Sequence, residues 1–300
     1  MIVRAGFWRR LARMRAAAVG FVIFAIILVG SLCAGFIAPA SPDEINLDAA
    51  LARPSLHCPF GTDPFGRDVL SRVLYGARIS LGVGFLARTI SLLLGLFLGA
   101  LAGYYGGRID SILMRLADIT FAYPTLLLLI AIIAVVSPGM VSLFVTLGVV
   151  GWASVARLVR AQVLSVKERE YVQAARASGA SHPAILFRHV VPQCLASVLV
   201  VYTLGLGMTI MAEASLSFLG LGVQPPAPSW GGMISSGIAF LRMAPWLTFF
   251  PGLFLTLTVC SLNLIGDGIR DALNPRLAPA LAKPEAMAAG RPADATEGSR

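Results

Sequence analysis

The sequence predicts an all-α protein that crosses a membrane six times, and three observations lead there. The 300-residue chain is 57% hydrophobic and 13% charged, with a mean hydropathy of +0.80, a balance foreign to water-soluble globular domains. Its apolar residues gather into six runs, at about 16–38, 79–103, 119–136, 141–163, 193–213 and 246–266. Each has roughly the 18–25 residues a helix needs to cross ~30 Å of hydrocarbon. The charges between the runs are sorted. With the N-terminus in the cytoplasm, Arg4, Arg9, Arg10, Arg13, Arg15, Arg108, Arg115, Arg157, Arg160, Lys167, Arg169, Arg176, Arg188, Arg270 and Arg276 fall inside. Outside remain Arg53, Arg67, Arg72, Arg78 and Arg242. This positive-inside bias predicts cytoplasmic termini and a cytoplasmic interval 167–192, so the net charge of +9 reports topology rather than nucleic-acid binding.

The basic segment 1–15 precedes the first span, 16–38. A secretory signal peptide has the same order, and Ala38-Pro39-Ala40 resembles a cleavage site. The apolar core of about 21 residues exceeds the usual 7–15, however, and proline disfavours cleavage, so an uncleaved helix is expected. Residues 39–78 form an outside segment. In its second half Val69, Leu70, Val73, Leu74 and Ala77 share one helical face, while Arg67, Asp68, Ser71, Arg72 and Arg78 fall largely on the other. That pattern predicts an amphipathic helix lying on the membrane surface.

The second span carries Arg88 deep in its apolar run. A charge there has two readings: structural pairing or snorkelling, or a place lining a pathway. Tyr104-Tyr105-Gly106-Gly107 turns the chain into the third helix, which opens on Asp110, Arg115 and Asp118 and should be kinked or locally weakened at Pro124. Ser137-Pro138-Gly139 leads to the fourth span, whose inner end Arg157 and Arg160 mark. The fifth span ends at Glu213, beside a Gly- and Pro-rich segment in which Pro225, Pro226 and Pro228 enforce an extended passage. Glu213 is either a functional intramembrane acid or a carboxylate bonded to the turn or a neighbouring helix. The sixth span contains Pro251-Gly252, and from residue 277 the Ala/Pro-rich tail is expected to be disordered. Cys33, Cys194 and Cys260 lie in or beside spans and Cys58 is alone outside, so they read as small apolar fillers rather than a disulfide framework.

The longest polar interval between spans is Lys167–Pro192, KEREYVQAARASGASHPAILFRHVVP. Tyr171–Ser178 read as a short helix carrying Ala174 and Ala175, and Gly179 suits the left-handed position that ends it. Ser181 can cap a second helix with Pro183 in its first turn, and Pro192 punctuates the approach to the fifth span. A short hairpin with small residues is shaped to sit in a partner's groove.

Ala174, Ala175, Gly179 and Pro192 fall at the spacing of the E-A-A-x-x-x-G…I-x-L-P signature, and the chain here resembles the permease subunits of bacterial ABC importers. Gln173, His189 and Val191 depart from that signature, standing where the family often has Glu, Ile and Leu. The stretch GTDPFGRDVLSRVLYGARIS and the segments around Glu213 and Asp267–Arg276 resemble the dipeptide/oligopeptide/nickel branch, so the likeness covers roughly residues 60–276. The resemblance implies a type I importer permease fold in the bacterial inner membrane, with residues 79–276 as a five-helix core. It implies a second, similar permease in a heterodimer, two cytoplasmic ATPase subunits and a periplasmic substrate-binding protein. Gln173, Ala174, Ala175, Arg176, Gly179 and Pro192 would couple the chain to the ATPases.

No catalytic chemistry is expected in this chain. Its two lysines, Lys167 before Glu168 and Lys283 before Pro284, cannot belong to a G-x-x-x-x-G-K-[ST] loop, so ATP would be consumed by partner subunits. His57, His182 and His189 lack metal-ligand spacing and fall on opposite sides of the membrane; no metal or other cofactor is expected. A nickel-complex importer stays open as an alternative cargo. An ATP-independent secondary transporter using Arg88 and Glu213 is the rival mechanism.

Overall fold

The computed structural model describes residues 14–273, and all its regular elements are helical. The basic segment up to residue 13 and the tail from residue 277 lie outside the described residues. In chain order the helices are α1 (Arg15–Leu32), α2 (Ala34–Ile37), α3 (Val69–Tyr105), α4 (Gly107–Ala122), α5 (Thr125–Val136), α6 (Met140–Val166), α7 (Glu170–Ala177), α8 (His182–Phe218), α9 (Trp230–Gly237) and α10 (Trp246–Leu273). Five of them, α1, α3, α6, α8 and α10, are long and apolar enough to cross a membrane, and the bent pair α4–α5 makes a sixth crossing if counted as one span.

Helix α3 is the spine. Between lipid tails there is little hydrophobic drive to bring helices together, so close van der Waals contact must do it. Gly95, Gly99 and Gly103 recur every four residues on α3 and meet Val155, Ala156 and Val163 of α6. The approach is so close that a Cβ on Gly99 would stand 2.5 Å from the Ala156 carbonyl oxygen. Beyond that seam, α8 packs against α3, α6 and α10, while α1 lies along α10. Trp230 of α9 is fully buried with Leu81, Ile210 and Leu255, and its indole N–H donates to the Val73 carbonyl at 3.1 Å.

Three expectations need correction. The surface helix at 69–78 does not exist as a separate element, because Val69–Tyr105 is one unbroken 37-residue helix. Its polar residues are satisfied by protein instead of headgroups and water. The Asp68 carboxylate caps α3 by accepting from the Ser71 amide and hydroxyl, both at 2.7 Å. Arg72 is buried and donates to the Pro42 carbonyl at 2.8 Å, and Arg78 donates to the Ser31 and Leu32 carbonyls at 2.5 and 2.6 Å. The latter bonds satisfy the open carbonyls at the end of α1.

The third span is broken rather than kinked. Tyr123 takes an extended conformation before Pro124, and α4 and α5 diverge by 94°. With 12 residues, α5 is about 18 Å long, too short to cross alone. The fifth span, in turn, starts far earlier than residue 193. His182–Phe218 is one 37-residue rod, so Pro192 does not interrupt it. Residues Ile185–Val190 widen into a π turn just ahead of the proline, which gives room to a ring that would otherwise clash with the preceding turn.

Candidate functional site

The hairpin forms as the sequence suggests, with its geometry fixed by backbone bonds. Glu170 opens α7, where an acid complements the helix dipole. Gly179 has φ +80°; its N–H bonds to the Arg176 carbonyl and that of Ala180 to the Ala175 carbonyl, both at 3.1 Å, closing α7. Ser181 stands at the head of α8, but its side chain makes no capping bond, contrary to expectation; its carbonyl accepts from the Ile185 N–H at 3.0 Å. Pro183 occupies the first turn.

Apolar contacts seat this hairpin on the end of the bundle. Val172, Ile185 and Leu186 are buried with Tyr104 of α3 and Val159, Val163 and Val166 of α6. Three polar bonds add to the seat. Lys167 Nζ donates to the Gly103 carbonyl at 2.9 Å, Gln173 Nε2 to the Lys167 carbonyl at 3.3 Å, and the Tyr104 hydroxyl lies 3.1 Å from His182 Nδ1. Gln173 is therefore half-buried and engaged within the chain, while Ala174, Arg176 and Gly179 are exposed and Ala175 and Pro192 half-buried. Sequence reasoning missed Tyr171 and Phe187, which are 41% and 57% exposed on the same hairpin. Large aromatics in an otherwise small-residue polar interval were the available signal.

The two intramembrane charges are not brought together. Glu213 is fully buried on α8; its Oε1 accepts from the Ser217 hydroxyl at 2.7 Å, and its Oε2 has no partner. Arg88 lies against α8 more than two turns away in sequence, donating from Nη2 to the Val201 carbonyl at 2.5 Å and from Nε to the Tyr202 carbonyl at 3.4 Å. Gly205 makes that possible, because a Cβ there would fall on the guanidinium. Arg88 lines a cavity of about 600 Å³ with walls from α3, α5, α6 and α8, which Glu213 does not reach.

Arg157 and Arg160, read from sequence as markers of the inner end of a span, have partners. Arg160 holds the Asp110 carboxylate through two bonds, at 2.5 and 2.6 Å, and Arg157 pairs with Asp118, so α4 is tied to α6 by charge. Among the described residues no group of three or more His, Cys, Asp or Glu side chains converges as a metal site would require.

A multi-pass helical bundle with a broken span, a cavity reaching a buried cation and a hairpin at one end is an architecture that suits a membrane transport subunit. Residues 95–279 match the family described as the binding-protein-dependent transport system inner membrane component, and residues 4–54 match the N-terminal transmembrane domain of oligopeptide transport permease C. The chain belongs to that inner-membrane transport family, and the likeness reaches further toward the N-terminus than residues 60–276. It is 42% identical to a dipeptide transport system permease protein of Alkalihalophilus pseudofirmus, over 90% of this chain and 89% of the relative. It is 40% identical to a glutathione transport system permease protein of Pectobacterium atrosepticum, over 90% of each. An oligopeptide transport system permease protein of Bacillus subtilis is 42% identical over 87% of this chain and 86% of its own length.

Proposed function

We propose that this chain is one permease half of an ATP-driven importer carrying peptides across the inner membrane. A second, similar permease would complete the pathway, two cytoplasmic ATPases would drive it, and an external binding protein would deliver cargo. The relatives named for dipeptide and oligopeptide transport support the cargo.

One observation carries the mechanism. The hairpin's second arm is continuous with α8, the rod that forms one wall of the Arg88 cavity. A displacement applied at Ala174–Gly179 is delivered through the cluster of Val172, Ile185 and Leu186 to α3, α6 and α8 together. Closely packed interiors transmit such displacement instead of absorbing it. Closure of the ATPases would thus tilt the cavity walls, with Ala174, Ala175 and Gly179 allowing close approach, Arg176 offering charge, and Gln173 and Pro192 holding the hairpin's shape. On this reading the hairpin faces the cytoplasm.

The test is ATP-driven peptide uptake alongside ATP hydrolysis in proteoliposomes holding the complete importer. Among the described residues nothing lies within 4 Å of a Cβ at Gly179, but its φ of +80° strains any side chain; with Gly179→Ala as the control for that strain, Gly179→Trp should assemble, hydrolyse ATP and transport little. Normal transport by that variant would remove the coupling assignment. Uptake that follows an ion gradient without ATP would replace the whole reading by secondary transport.

A further inference from the structure

Arg88 is a fixed positive charge in an apolar setting, 6% exposed, and no carboxylate among the described residues pairs with it. The acids nearest in sequence to the cavity walls are otherwise engaged: Asp110 and Asp118 hold Arg160 and Arg157, and Glu213 accepts from Ser217. A guanidinium has five N–H donors in a planar fork. The bonds to Val201 and Tyr202 use two of them on the α8 side, and Nη1 makes no hydrogen bond among the described residues, while Arg88 lines the cavity.

A second feature of the same cavity has the same sign. The break at Pro124 leaves the first turn of α5 exposed, with Thr125 and Leu126 among the residues that line the cavity. The first bond of that helix is Leu128 N–H to the Pro124 carbonyl at 3.1 Å, and no side chain caps it. The amides of Thr125, Leu126 and Leu127 therefore form an uncapped, partly positive helix end. The remaining polar lining consists of hydroxyls that spend their protons elsewhere. Ser91, Ser154, Thr209 and Ser215 donate to the carbonyls of Gly148, Gly151, Gly205 and Met211, which leaves oxygen lone pairs as acceptors.

We propose that this cavity is a transit subsite for a carboxylate, the C-terminal carboxylate of a peptide, with Arg88 as its cationic contact. The hydroxyl oxygens and the apolar wall of Leu129, Leu147 and Val150 would face the rest of the peptide. The proposal rests on the peptide-importer reading. A planar carboxylate matches the open edge of the guanidinium, supplies the missing counter-charge and leaves again as the walls tilt. Gly205 is then a positioning residue, keeping the guanidinium flat on α8.

The experiment compares uptake of dialanine with uptake of its C-terminal amide by the complete importer in proteoliposomes. The wild type should take up the acid about tenfold faster or more, the order of effect of a hydrogen bond to a charged group. Arg88→Gln should bring the ratio near one, and Arg88→Lys should retain most of it. An unchanged ratio in Arg88→Gln overturns the proposal, because a scaffold role lowers both rates together and selection by the binding protein alone is unaffected. If Arg88→Gln does not assemble, equilibrium binding of the two probes to the wild-type permease–ATPase complex without binding protein decides, and equal Kd values overturn the proposal. Failure of the wild type to take up either dialanine or tetra-alanine would refute the peptide cargo itself, and the subsite with it.

Discussion

Replacing Gly99 by alanine adds one methyl group where α3 and α6 are closest. That Cβ would lie 2.5 Å from the Ala156 carbonyl oxygen and 2.9 Å from its Cα, so backbone, not a flexible side-chain tip, must yield. Reaching the 3.4 Å of ordinary contact requires the helices to part by about 0.9 Å. A gap of that size forfeits about a quarter to a half of each dispersion well along the seam. The seam includes Gly95 against Val155 and Gly103 against Val163, so the loss is shared over several turns. Overpacking of this kind costs about 1–3 kcal/mol, or roughly 2–9 °C of Tm at about 2–3 °C per kcal/mol for a large chain. The assay is thermal denaturation of the detergent-solubilised complex, read by fluorescence-detected size exclusion. Gly82→Ala is the control, because nothing lies within 4 Å of its Cβ; it should match the wild type or gain up to about 1 kcal/mol. Equal melting of the two variants would refute the account of the α3–α6 seam.

The remaining predictions concern charge, tether and register. Asp110→Asn breaks the two-bond pair with Arg160, which is one-third exposed, and should cost about 1–2 kcal/mol after solvent screening; Asp118→Asn, whose pair with Arg157 is half exposed, should cost less than about 1 kcal/mol. Double-mutant cycles on melting temperature separate the two. Tyr104→Phe removes the bond to His182, worth about 0.5–1.5 kcal/mol, and should speed amide hydrogen exchange at residues 180–186 by roughly two- to tenfold. Unchanged exchange would mean the apolar seat alone holds the hairpin. Pro192→Ala frees the π turn to relax to α geometry, rotating the hairpin by about 100° relative to the rod. Uptake per ATP should fall while assembly persists.

Much of this architecture was legible because length and hydropathy constrain membrane spans strongly. The fourth span, expected at 141–163, is α6 at Met140–Val166, and the turn at Gly179 follows from its left-handed φ. What escaped depended on partners distant in the chain. An amphipathic pattern says that Arg72 and Arg78 share a polar face. It does not say that their acceptors are the carbonyls of Pro42, Ser31 and Leu32 rather than water. Likewise, Pro124 announces a disturbance, but not the 94° angle between the two helices, nor the burial of Leu129 and Ile133 with Leu143 and Leu147 beyond it. Pro192 looked like a stop because the compensating π turn has no residue signature. Of the intramembrane charges, sequence named Arg88 and Glu213 alike. Only the packing distinguishes a cation lining a cavity from an acid enclosed with Ser217, and only the packing picks Gly205 out from 30 glycines.

The central claim is that the Glu170–Pro192 hairpin is the point at which an ATPase drives this subunit. A photoreactive benzoylphenylalanine in place of Ala177, exposed at the end of α7, tests it in native membranes, with the adducts identified by mass spectrometry. The account predicts one dominant protein adduct, to a P-loop ATPase, with a yield that changes when ATP is supplied. Adducts to lipid alone, or to proteins without a P-loop, would contradict it.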